Sequence, residues 1–302
     1  MGKVLVIAEK PSVARDIAAV LKCGEKGDGF IGGENYIVSW AVGHLVTLCE
    51  PDDYDKSLKI WTAGSLPIIP EKMKLKAVRG SKKQLDTLKK LMNAKDTDSI
   101  ICATDSGREG ELIFRYIYEY NKCKKPFKRL WISSMTDAAI KEGFANLRDG
   151  KEYDNLYISA KCRSEADWLV GINATRAFTI KYNALLSIGR VQTPTLAMIV
   201  KRQNEIDNFV PTKYYEVIAD YGDFKGTWTD GKKNTKIDDK SAAEDIAYKV
   251  DGKTATVEDV VKTEKQILPP QLYDLTELQR DCNKIYGFSA KKTLDIAQSL
   301  YE

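Results

Sequence analysis

Histidine is nearly missing from these 302 residues, with one copy at position 44, and the six cysteines at 23, 49, 102, 123, 162 and 282 form no CxxC pair. A zinc site draws on clustered Cys and His, so no zinc is expected. No apolar stretch approaches the roughly 20 residues that cross a bilayer, and the opening run at 4–8 is too short for a signal peptide. The expectation is a cytoplasmic protein with reduced cysteines and no membrane association. A large excess of one charge is also lacking: 47 Lys and Arg face 43 Asp and Glu, a net +4. That balance neither requires nor excludes a nucleic-acid partner, and distribution matters more. Lys and Arg gather at 72–90, 122–129 and 161–202, whereas Asp and Glu are prominent at 50–55 and 238–245. By themselves the lysines of 82–90 read as a solvated face. Finally, no G-x-G-x-x-G follows the first strand, which argues against a dinucleotide enzyme.

What is present is most informative at 98–111. The apolar run Ile100-Ile101-Cys102 reads as a buried strand, and Ala-Thr-Asp105-Ser-Gly107-Arg108-Glu109-Gly-Glu111 leads from it into a helix. Carboxylates at the C-terminal tip of a parallel strand lie in the crevice where open α/β sheets bind ligands, and three within seven residues repel unless a cation joins them. Oxygen donors without nitrogen or sulfur favour Mg²⁺. A simpler reading is that Asp105 or Ser106 caps the helix, with Glu109 and Glu111 complementing its dipole. Residues 4–8, Val-Leu-Val-Ile-Ala, form a second buried strand that runs into Glu9-Lys10-Pro11-Ser12, and Pro11 suits a first helical position. If these two strands are neighbours, Glu9 and Lys10 converge on Asp105 and Glu109. An acid, a cation and metal-binding carboxylates are what phosphoryl transfer requires.

The length exceeds one ordinary domain. Strand and helix alternate from 1 to about 150, with strands at 36–42 and 129–132 besides the two above, which implies a mostly parallel sheet covered by helices. Residues 155–183 and 190–208 read as long helices. Strand-like pieces follow at 213–220 and 253–263, and Pro269-Pro270 precedes two short helices broken at Gly287. The expected plan is 1–150, 151–211, 212–272 and 273–302. Ser187-Ile-Gly189-Arg190-Val-Gln192-Thr193 opens a helix with free N–H groups, an arginine and an amide, a surface suited to phosphate and base contact. Arg163 and Asp167, one turn apart, either line the same groove or form a surface pair of small value. Trp168 reads as core rather than as a stacking platform, and the lone His44 as a structural residue rather than a catalyst.

The Glu-Lys-Pro-Ser opening, Gly43-His44-Leu45 and the run from Asp105 to Glu111 resemble the Toprim domain of type IA DNA topoisomerases, and the later segments resemble the topoisomerase III branch. The resemblance implies a Rossmann-like Toprim domain followed by a helical domain and a partial β/α gate region. It implies Glu9 as the metal-linked acid, Lys10 as a phosphate contact, and Asp105 and Glu109 as metal-binding carboxylates. Arg163 to Gly171 and Ser187 to Gln192 look like segments that grip single-stranded DNA, with Gly189 and Arg190 among the contacts. Arg129 and His44 stand where the family contacts DNA or supports the site. A helicase is a further partner the resemblance allows. One departure is Gly107, where the family carries a second aspartate, so a single Mg²⁺ is expected, bound more weakly unless Glu111 or Glu9 compensates.

Type IA enzymes attack DNA with a tyrosine in a Tyr-Pro-Arg motif, and none of the 15 tyrosines here precedes Pro-Arg. Leu275 to Gln279 and the closing Gln298-Ser-Leu-Tyr301-Glu302 resemble what precedes that motif. The expectation is an amino-terminal portion of a longer enzyme, able to bind Mg²⁺ and DNA but not to form the covalent intermediate. Two other readings stay open: a Toprim nuclease or primase using the same carboxylates, and a DNA-binding remnant without catalysis.

Overall fold

The structure, a computed structural model, describes residues 2–301, the last of them by its backbone alone. The closing Tyr301-Glu302 pair singled out above therefore lies outside the described side chains. The chain divides into two compact units, Met1–Phe209 and Val210–Glu302.

In the first unit, strand β1 (Lys3–Ala8) enters helix α1 (Pro11–Val20) directly. Leu5, Val6, Ile7 and Ala8 are fully buried, because this strand is covered on both faces and carries apolar residues at consecutive positions. Strands β2 (Glu25–Gly27), β3 (Phe30–Gly32) and β4 (Tyr36–Trp40) follow as antiparallel neighbours. A small hairpin-like sheet of β5 (Val46–Leu48) and β6 (Leu75–Ala77) encloses an insert that contains α2 (Pro51–Tyr54). Helix α3 (Lys82–Asn93) then leads to β7 (Thr97–Ala103), α4 (Arg108–Tyr120), β8 (Phe127–Arg129), α5 (Asp137–Ala145) and the short β9 (Arg148–Asp149).

Among the described residues these build a seven-stranded sheet of order β2-β3-β4-β1-β7-β8-β9. Its centre, β4-β1-β7-β8, is parallel and its edges are antiparallel. Strand β1 lies between β4 and β7, so the chain leaves it towards opposite edges of the sheet, which makes the C-terminal ends of β1 and β7 the topological switch point. Two apolar layers sandwich the sheet. Leu5, Ile7, Ile37, Ile100 and Cys102 pack under α3 and α4, while Val6, Ala8, Val38, Ile101 and Ala103 pack under α1 and α5. Each fully buried aliphatic side chain contributes roughly 1.5–3 kcal/mol.

The strand expected at 129–132 is found at Phe127–Arg129. Its ladder with β7 stops there because β7 turns away after Ala103 into the acidic loop. Beyond the sheet, α6 (Asp154–Tyr182) packs on α4, and α7 (Gln192–Asp207) follows after a short irregular connection. The second unit holds β10 (Ile218–Asp220), β11 (Lys225–Thr227), α8 (Lys240–Val250), α9 (Leu275–Tyr286) and α10 (Ala290–Tyr301). The expected strand at 253–263 is irregular. Gly287 ends α9 at φ +67°, a left-handed conformation that suits glycine, and its N–H closes on the Asn283 carbonyl at 2.9 Å. Among the described residues no helix is long and apolar enough to cross a membrane.

Candidate metal and DNA site

Strands β1 and β7 end level, with Ala8 opposite Ala103. Glu9 and Asp105, one and two residues further on, therefore meet at the switch point, where the Asp105 backbone N–H donates to Glu9 Oε2 at 3.1 Å. The Glu9 carboxyl titrates above the usual carboxylate range. Burial is the main cause and the Asp105 charge the next, while the Asp105 N–H, Lys10 and His44 oppose it to a smaller degree. Asp105 and Lys10 are exposed beside it. Two adjacent carboxylates offering oxygen donors fit one hard divalent cation. Such an ion commonly takes one or two carboxylates and keeps several waters.

Glu109 is 71% exposed and Nε2 of His44 lies 3.0 Å from its Oε1. Among the described residues no three His, Cys, Asp or Glu side chains converge as a metal cage. The expected trio of Glu9, Asp105 and Glu109 is thus not assembled in this arrangement, in which Glu109 meets His44. Nor does Glu111 compensate for Gly107. It is fully buried, with Arg115 Nε at 2.8 Å from one oxygen and Arg129 Nε at 3.1 Å from the other. The second of these is a charge contact without hydrogen-bond alignment.

Arg129 requires the same kind of correction. Of the two roles the resemblance implies, contact with DNA does not fit its placement, for it is wholly buried and donates to the carbonyls of Cys102, Thr104, Asp105 and Leu130. Of the helix-capping reading of the acidic loop, Glu109 and Glu111 do lie in the first turn of α4, but neither Asp105 nor Ser106 caps it. Gly107 is the residue that precedes α4, and Ser106 Oγ donates instead to the Ile132 carbonyl at 2.7 Å. Gly107 itself is extended, at φ −176°.

The DNA residues expected on the helical segments come together. Asp167 on α6 stands between two arginines, with Arg190 Nη1 at 3.2 Å and Arg163 Nε at 3.9 Å. Gly189 donates its N–H to Thr193 Oγ1 at 3.0 Å, so the turn before α7 is closed by its own side chain. Ser187 and Gln192 are exposed on either side of it. A cleft of about 490 Å³ has His44, Glu109, Arg163 and Asp167 on its walls. Arg108, Thr47 and Ser164 also line it, and sequence reading missed them. Arg108 adjoins the acidic run and was legible by position, whereas Thr47 carries no signal in the sequence. Trp168 is half-buried as expected, but its indole N–H donates to the Cys49 carbonyl at 2.9 Å, which fastens α6 to the start of the insert.

Parallel strands that deliver carboxylates to a switch point, near a cleft lined by Arg108 and Arg163, define a scaffold for work on phosphodiesters. Residues 4–135 match the family described as Toprim domain, and residues 151–302 match the family described as DNA topoisomerase. The chain belongs to the type IA DNA topoisomerases, in the topoisomerase III branch. It is 54% identical over 303 residues to DNA topoisomerase 3 of Bacillus cereus (strain ATCC 14579) and, equally, to DNA topoisomerase 3 of Bacillus subtilis (strain 168). Those alignments take in 100% of this chain and 42% of each relative, so the chain spans under half the length of the relatives it matches. Among solved structures, full-length topoisomerase I from Thermotoga maritima aligns with a TM-score of 0.62 and 26% identity, over 98% of this chain and 46% of that one.

Proposed function

We propose that this chain forms the Mg²⁺- and DNA-holding part of a topoisomerase that cleaves, passes and rejoins single strands. The observation that carries this is the Glu9 and Asp105 pair at the switch point, followed in the chain by Gly107, Arg108 and Glu109, which share a cleft with Arg163 and Asp167. Mg²⁺ held by Glu9 and Asp105 would neutralise phosphate charge and orient the strand ends. Glu9, whose pKa is raised mainly by burial, is the group placed to give the departing 3′ oxygen its proton. Lys10, exposed next to it, offers an ammonium to the phosphate. Arg163 and Arg190, arranged about Asp167, hold the strand by its phosphates. In the whole enzyme a tyrosine oxygen would bond to phosphorus as the bond to the 3′ oxygen breaks, and the 3′ hydroxyl would later reverse the exchange. A cytoplasmic setting and a helicase partner complete this reading.

The test is to incubate the chain with a labelled single-stranded oligonucleotide and Mg²⁺, then separate bound, nicked and covalently attached DNA. Reversible binding without attachment is expected. Metal-dependent nicking would favour the nuclease reading, and absence of single-strand binding would overturn the proposal.

A further inference from the structure

Past Cys102, β7 has no strand beside it on the β8 side, since β8 ends at Arg129. Buried carbonyls without partners are costly; the Leu130 N–H reaches that of Cys102 and the Gly107 N–H that of Asp105, each at 2.9 Å, and one side chain adds donors to both and to Thr104 between them. Arg129 Nη1 donates to the Thr104 carbonyl at 2.7 Å and to that of Cys102 at 3.2 Å, while Nη2 donates to the Asp105 carbonyl at 2.6 Å. The guanidinium is in turn fixed from behind by Glu111, whose other oxygen is held by Arg115. Arg115 continues this network to Asp154 Oδ1 at 2.7 Å, where α6 begins. From the other side α4 packs directly on the loop: a Cβ at Gly110 would run into the Asp105 carbonyl, and Thr104 Oγ1 donates to the Gly110 carbonyl at 2.7 Å.

We infer that Arg129, set by Glu111, is the positioning residue for the metal site: it fixes the Thr104–Asp105 backbone and thereby holds the Asp105 carboxylate and N–H against Glu9. This rests on the Mg²⁺ reading above, but the ordering of the loop does not. The role needs an arginine. Its planar fork reaches several carbonyls and a carboxylate together, whereas a lysine ammonium is a point donor.

The test compares Arg129→Lys with the parent chain. In metal-free protein, amide exchange at 105–107 is expected to be about ten-fold faster while the central strands β1 and β4 exchange as before. Mg²⁺ affinity, measured by calorimetric titration, is expected to fall about 10- to 100-fold, as it does when outer-shell partners of metal ligands are removed. Should Arg129→Lys not fold, the paired apolar change Glu111→Leu with Arg129→Met removes both charges together and carries the same expectation. Exchange at 105–107 and Mg²⁺ affinity both equal to the parent's in a folded variant would overturn the inference. If the parent binds no Mg²⁺, the metal reading fails, and the exchange measurement still decides whether Arg129 orders the loop.

Discussion

Gly107 shows how a single position tunes the site. Its backbone is extended and, among the described residues, a Cβ built there meets nothing within 4 Å, so a side chain is accommodated without strain. Gly107→Asp is expected to fold normally and to bind Mg²⁺ about ten-fold tighter through the added carboxylate charge, read by calorimetry. Unchanged affinity would show that position 107 does not face the ion. Cys102 gives a pH signature. Burial pushes its thiol up to about 11, whereas an unfolded chain ionises cysteine near about 8.5. The folded form therefore keeps its proton where the unfolded form loses it, so this contribution to stability is complete below about pH 8.5 and is lost as pH rises through about 11. The urea midpoint is expected to fall between pH 8 and 10, and Cys102→Ala to remove part of that fall. Glu9 and Asp105 were legible in the sequence because each closely follows an apolar strand. Arg129 was not, since an arginine reads as a surface residue and nothing local announces that it will be buried against carbonyls and Glu111.

Among the elements, the two long helices were legible to within a couple of residues, 155–183 against Asp154–Tyr182 and 190–208 against Gln192–Asp207. Strands that depend on partners were harder. Residues 253–263 have the composition of a strand but form no ladder in the described residues, and 129–132 shifted because pairing with β7 ends at Arg129. Sheet structure is decided by neighbours that local sequence does not name. The pairing of Arg163 and Arg190 about Asp167 shows what α6 and the turn before α7 do together. Replacing both arginines by alanine is expected to weaken single-strand binding and to flatten the slope of log affinity against log salt by about 0.7 for each phosphate no longer neutralised. An unchanged slope would mean that these arginines only hold Asp167.

At the scale of the molecule, the alternation of strands and helices was enough to read a mostly parallel sheet, and the switch point between β1 and β7 explains why two distant segments share a site. The first unit contains both the acidic loops and the arginines of α6 and its following turn. It can therefore be expected to bind metal and DNA in one chain. The most direct measurement is a calorimetric titration of Mg²⁺ into this chain and into Glu9→Gln and Asp105→Asn. One ion bound by the parent, with affinity lost in both variants, is the expected result. Equal binding by all three would contradict the assignment of the switch-point carboxylates as the metal site.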